Sequence, residues 1–211
     1  MSHAGMGDHA WPGAALAFVA MWTAMMVPMM LPSLIPGLAR YRQAVRGVNG
    51  MPLHRLTAMV GAGYFMIWAL LGAVAFIAST AVVAAELHWG IGPWQAQLGS
   101  GAALVVSGLV QLSAWKSRQL ARWRETSGCR MARSPHTFDA WRHGRRLGVD
   151  CALSCSGLMV ALLAAGMMNP VAMALVALAI TAERLAPAPP WVERLAGLAI
   201  VVVGVLTVAR I

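Results

Sequence analysis

The chain has 211 residues, of which 59% are hydrophobic and only 11% charged, with a formal net charge of +9 and a mean hydropathy of +0.67. Soluble domains carry roughly a quarter charged residues, so a water-soluble globule is excluded. The positive charge does not mark a nucleic-acid partner either, because the basic residues fall in clusters between apolar runs, as the positive-inside rule requires of a membrane protein.

A helix that crosses a bilayer needs about 20 mostly apolar residues. In chain order the runs that meet or nearly meet this are 14–37, 57–85, 97–115, 148–167, 170–186 and 192–210. No basic stretch precedes the first run, so no cleavable signal peptide is expected. The second run is long enough to tilt or to protrude. The fourth and fifth are parted only by Met168, Asn169 and Pro170, which predicts a tight helical hairpin with Asn169 capping its turn. The expected fold class is all-α: a single transmembrane domain over 1–211, a polytopic membrane helical bundle of six transmembrane helices in contact with the lipid bilayer.

Charge sets the orientation. Arg40, Arg42, Arg46 and Arg55 share one connection, nine Lys and Arg lie between Lys116 and Arg146, and Arg184 and Arg194 flank a third. With the N-terminus and C-terminus both outside, these connections are all cytoplasmic, and only Arg210 of the basic residues is not. Trp11, Trp89, Trp94, Trp115 and Trp191 then fall at helix ends, where indole rings favour the interface. Trp22 and Trp68 lie deeper and are expected to pack within the bundle. The basic loop 116–147 holds Trp123, Phe138 and Trp141 among its arginines. It reads either as a helical segment lying on the inner headgroups or as a solvated loop.

Methionine is the compositional outlier, with fifteen residues. In the first helix Met21, Met25 and Met29 recur at i, i+4, i+8 and stack on one face about 6 Å apart. Met26 and Met30 form a second column beside them. Pro28, Pro32 and Pro36 share the spacing, each removing a backbone hydrogen bond. In the fourth helix Cys151, Cys155 and Met159 again run i, i+4, i+8, with Asp150 adjacent. Thiols and thioethers are soft ligands that suit a monovalent ion such as Cu(I). The same residues also serve as ordinary packing, since methionine fills irregular gaps and buried cysteines act as small hydrophobes.

The remaining polar residues say less. Three cysteines make no disulfide framework, and Cys129 in the basic loop reads as a bystander. His3, Met6, Asp8 and His9 form a short N-terminal cluster able to collect a metal ion. Gln111 and Ser113 are placed to hydrogen-bond across the bundle. Glu183 and Arg184 read as helix-end residues that snorkel to the interface. No His-Glu-x-x-His, phosphate-binding glycine loop or nucleophile elbow is present, and the six histidines lie in loops or at helix ends, away from haem-ligating positions. The chain is not expected to be an enzyme.

Several of these segments together resemble the bacterial family described as predicted metal-binding integral membrane proteins. The resemblance rests on Met21-Trp22-x2-Met25-Met26-x2-Met29-Met30-x-Pro32, Trp115-Lys116 followed by Leu120, and Trp141-Arg142-His143-Gly144. Leu147-Gly148-x2-Cys151-x3-Cys155-x-Gly157-Leu158-Met159, Gly166-Met167-Met168-Asn169 and Ile180 to Pro187 complete it. The chain departs from that pattern at Asp150, where relatives often have His, at Ser154 beside Cys155, and at Arg122-Trp123, where relatives have paired cysteines. The resemblance implies residence in a bacterial inner (cytoplasmic) membrane and copper supply to a client metalloenzyme. The resulting expectation is a membrane protein that binds and delivers Cu(I), with Met21, Met25, Met29, Asp150, Cys151, Cys155 and Met159 as metal residues. The alternative is a structural or assembly subunit of a larger membrane complex.

Overall fold

The computed structural model describes residues 10–46, 52–127, 136–166, 169–185 and 190–209. All regular structure among them is helical: α1 Ala10–Val45, α2 Leu53–Trp89, α3 Pro93–Leu112, α4 Ala114–Ser127, α5 Thr137–Ala165, α6 Pro170–Leu185 and α7 Pro190–Ala209. Four contain stretches long and apolar enough to cross a membrane, namely Trp11–Val45, Leu53–Trp89, Thr137–Ala164 and Trp191–Ala209. The α3–α4 pair, bent by 62°, makes a fifth if read as one broken span. The fold is therefore an all-α bundle with four to five candidate spans. The remaining expected span, α6, has 16 residues, about 24 Å at 1.5 Å per residue, against a hydrocarbon core of about 30 Å.

Several helices outrun their apolar segments because the helical period continues into charged sequence. In α5 the stripe Ala140, Gly144, Leu147, Cys151 is buried, while Arg142, Arg145 and Arg146 point outward. The helix therefore starts at Thr137, well ahead of the apolar run. α1 likewise continues past residue 37, burying Tyr41 and Val45, and Tyr41 stacks on His143 with ring centroids 5.4 Å apart. The prolines of α1 lie on its outer side or only half-buried, away from Met26, Met30, Ser33 and Leu34.

Part of the 116–147 connection is α4. Its Lys116, Gln119, Leu120, Trp123 and Ser127 are buried, a helical stripe that faces the bundle, since α4 packs on α5 and α1. It is thus neither a solvated loop nor a segment resting wholly on headgroups.

α5 is the hub, in contact with α2, α3, α4 and α6. Its approach to α2 is set by glycine: a Cβ on Gly144 would run into the Val60 carbonyl, and one on Gly63 would sit 2.5 Å from the Trp141 carbonyl. A second close pair joins α3 to α7, where a Cβ on Gly108 would meet the Gly197 carbonyl at 2.8 Å. Such small-residue contacts let membrane helices gain dispersion energy where burial from water offers none. Exposed Leu70, Val74 and Ile77 on α2, and Leu195, Leu198, Val202 and Val205 on α7, form apolar stripes suited to hydrocarbon. Trp22 and Trp68 are buried as expected, with Trp22 Nε1 donating to the Trp68 carbonyl at 3.1 Å. Trp11, Trp89, Trp94, Trp115 and Trp191 are all exposed. Asn169 caps α6, its Oδ1 accepting from the backbone N–H of Val171 at 3.0 Å and of Ala172 at 3.2 Å.

Candidate metal site

The tight α2–α5 crossing brings Tyr64 against Cys151, with the phenol oxygen 2.9 Å from the sulfur. On the other side α1 presents Met30, whose Sδ lies 3.9 Å from Cys151 Sγ. One turn further along α5 lies Cys155, whose thiol donates to the Ala152 carbonyl at 3.7 Å, and both thiols are free and buried. Met26, Met29, Met30, Cys151, Cys155 and Met159 all belong to the same buried core cluster. The Cys151–Cys155–Met159 stripe and the Met26–Met30 column therefore face inward and meet at Cys151.

The expected residues are distributed along a gradient. Met21 is 48% exposed and Met29 only 4%, with Met25 half-buried between them. The first methionine column thus descends from the flank of the bundle into the core. The contact to Cys151, however, comes from Met30 in the second column. Asp150 is half-buried and turned toward α4, accepting a hydrogen bond from Thr126 Oγ1 at 2.6 Å. Cys129 and the cluster His3, Met6, Asp8, His9 lie outside the described residues.

Glu183 and Arg184 correct the sequence reading. Neither snorkels, because α4 folds back across the end of α6 and encloses them; both are buried. Glu183 pairs with Lys116 at 2.7 Å, each side chain 2% exposed, and also accepts from Gln111 Nε2. Lys116 donates in addition to the Ser154 carbonyl. Arg184 turns the other way: Nη1 donates to Ser33 Oγ at 2.8 Å, and Nη2 reaches Ser154 Oγ at 3.0 Å, the Cys151 carbonyl at 3.3 Å and Cys151 Sγ at 3.0 Å. Its guanidinium carbon sits 4.5 Å over the Trp123 ring, the buried member of the Arg122-Trp123 pair. Gln111 bonds across the bundle as expected, whereas Ser113 bonds back to Val110 in its own turn.

The donor set fits a soft metal. Among the described residues no group of three or more His, Cys, Asp or Glu side chains comes together, so what converges is two thiols and thioethers. Metal–thiolate bonds of about 2.3 Å require two sulfurs on one ion to lie within about 4.6 Å. The 3.9 Å between Cys151 Sγ and Met30 Sδ meets that condition. Arg184 supplies a fixed positive charge that offsets a thiolate, the ligating form of cysteine.

Residues 19–207 match the sequence model of PpoB2, described as a copper chaperone. The chain belongs to the PpoB2 copper chaperone family. Copper is accordingly its cargo, and its role is to bind the metal and hand it on; the family is one of chaperones and not of enzymes. No curated protein and no solved structure gives a match. Sequence reasoning singled out Cys151, Cys155 and the α1 methionines but missed Tyr64, Arg184 and the Lys116–Glu183 pair. The available signal was that Glu183 and Arg184 fall inside the 170–186 run, and an ionisable residue within a membrane helix is a functional-site hypothesis by default.

Proposed function

We propose that this PpoB2 chaperone carries copper as Cu(I), and that Cys151 and Cys155 form the principal ligand pair with thioether support from the methionines. The observation that carries this reading is the buried contact of Cys151 Sγ with Met30 Sδ at 3.9 Å, which joins the two sulfur stripes at one point. Met21, Met25 and Met29 pass the ion stepwise from the exposed flank of α1 toward the core, where Met159 flanks the cysteines along α5. Asp150, bonded to Thr126, acts through its charge near the mouth and not as a first ligand. The chain crosses a bacterial cytoplasmic membrane six times, with α3 and α6 added to the four candidate spans and both termini outside. The alternation of basic connections supports that parity. The client is a metalloprotein that takes copper from the chaperone at the membrane.

The reading is tested by loading detergent-purified, reduced protein with Cu(I) and comparing it with Cys151→Ser/Cys155→Ser. Stoichiometric binding that disappears in the double variant is expected. Equal retention of copper by both proteins would remove the cysteine pair from the site.

A further inference from the structure

Among the described residues Arg184 carries a charge that no carboxylate pairs with. It is 7% exposed, and its contacts to Ser33, Ser154 and the Cys151 carbonyl orient the guanidinium without neutralising it. The nearest carboxylate along the chain, Glu183, is committed to Lys116 at 2.7 Å, and no carboxylate forms an ion pair with Arg184 among the described residues. An uncompensated charge away from water is costly. What the guanidinium does face is sulfur: Nη2 lies 3.0 Å from Cys151 Sγ, and Cys155 is one turn beyond.

We infer that Arg184 is the residue that makes the sulfur site select a monovalent ion over a divalent one. The inference rests on the reading of Cys151 and Cys155 as the ligand pair. Both cysteines ligate as thiolates, any thiol proton leaving to water on loading, and together contribute two negative charges. A monovalent ion leaves one negative charge, and Arg184 brings the site to zero. A divalent ion neutralises the thiolates by itself and leaves the guanidinium in excess. The Lys116–Glu183 pair contributes nothing net in either case, and Asp150 is half-buried and turned away from the sulfurs to Thr126 on α4, outside the enclosed site. In a dry site the neutral arrangement is favoured, so the guanidinium opposes divalent loading. Softness does not make this distinction, because thiolates also bind divalent zinc well. Without Arg184 the order inverts, with a net charge of minus one for the monovalent complex and zero for the divalent one.

The test uses Ag(I) and Cd(II), which are soft and redox-inert, on detergent-purified reduced protein. Relative affinities are measured by competition for the wild type, Arg184→Gln, Arg184→Lys and Ser33→Asp. Arg184→Gln is expected to raise the Cd(II)-to-Ag(I) affinity ratio on the order of a hundredfold, and Arg184→Lys to keep it within a few-fold of wild type. Ser33→Asp retains the guanidinium but places a carboxylate beside it. It is expected to shift the ratio in the same direction as Arg184→Gln, and it carries the test if that variant does not survive extraction. A ratio unmoved in every charge-neutralising variant that can be purified, with Ag(I) binding still abolished by Cys151→Ser/Cys155→Ser, overturns the role of Arg184 and leaves the ligand pair standing. Undiminished Ag(I) binding by the double cysteine variant overturns both.

Discussion

The Lys116–Glu183 pair offers the sharpest test of whether this end of the bundle is dry. The charged atoms are 2.7 Å apart and each side chain is 2% exposed. At an effective dielectric of about 20 their attraction is roughly 6 kcal/mol, most of it offset by the cost of removing both ions from water. Removing one partner forfeits the attraction while leaving the other ion enclosed. Lys116→Met and Glu183→Gln should therefore each cost about 3–5 kcal/mol. For a chain of this size that is a fall on the order of 10 °C in thermal midpoint. The double variant Lys116→Met/Glu183→Gln strands no charge, and Gln111 can still bond residue 183, so it should recover more than half of the loss. Thermal unfolding of the four proteins in one detergent, followed by tryptophan fluorescence, gives the double-mutant cycle directly. If Lys116→Met alone is as stable as wild type, water reaches Glu183, and the charge arithmetic used for Arg184 loses its low-dielectric premise.

Three further outcomes are expected. Gly144→Leu should abolish monodisperse protein, because its Cβ meets the Val60 carbonyl, whereas Gly61→Ala, with nothing within 4 Å, should be neutral or stabilising by up to about 1 kcal/mol; size-exclusion chromatography after extraction separates them. Met30→Leu should cost under about 1.5 kcal/mol in stability yet lower Cu(I) occupancy, while Met21→Leu on the exposed flank should leave occupancy unchanged and slow loading, as read by equilibrium binding against stopped-flow uptake. Asn169→Ala removes the α6 cap and should destabilise by about 1 kcal/mol without altering copper binding, measured by thermal midpoint and metal content together.

Fold class was legible because apolar runs and the helical period are one-dimensional signals. The charged start of α5 was not, although the signal was present: Ala140, Gly144 and Leu147 keep the period through the arginines. The sulfur site was half legible. Spacing exposed both methionine columns of α1, but which one meets α5 depends on the rotation of α1 about its axis, and that is set by tertiary contacts such as Trp22 against Gly72 and Trp68. Glu183 and Arg184 were misread because sequence shows only that an apolar run stops there. Their burial depends on Lys116 and Cys151, distant in the chain, and on the 62° bend that brings α4 over them. Tyr64 gave no signal at all, being one ring among many apolar neighbours.

The glycine-lined pairing of α3 with α7 has a consequence for the order in which the chain is made. The side chains that touch Cys151, namely Met30, Tyr64 and Arg184, are synthesised before α7 begins. The face of α3 that carries Gly101 and Gly108 meets Gly204, Val208, Gly197 and Val201 only when the last helix arrives. The contacts around Cys151 can thus form before α7 is made, and the arrival of α7 is what covers the glycine face of α3.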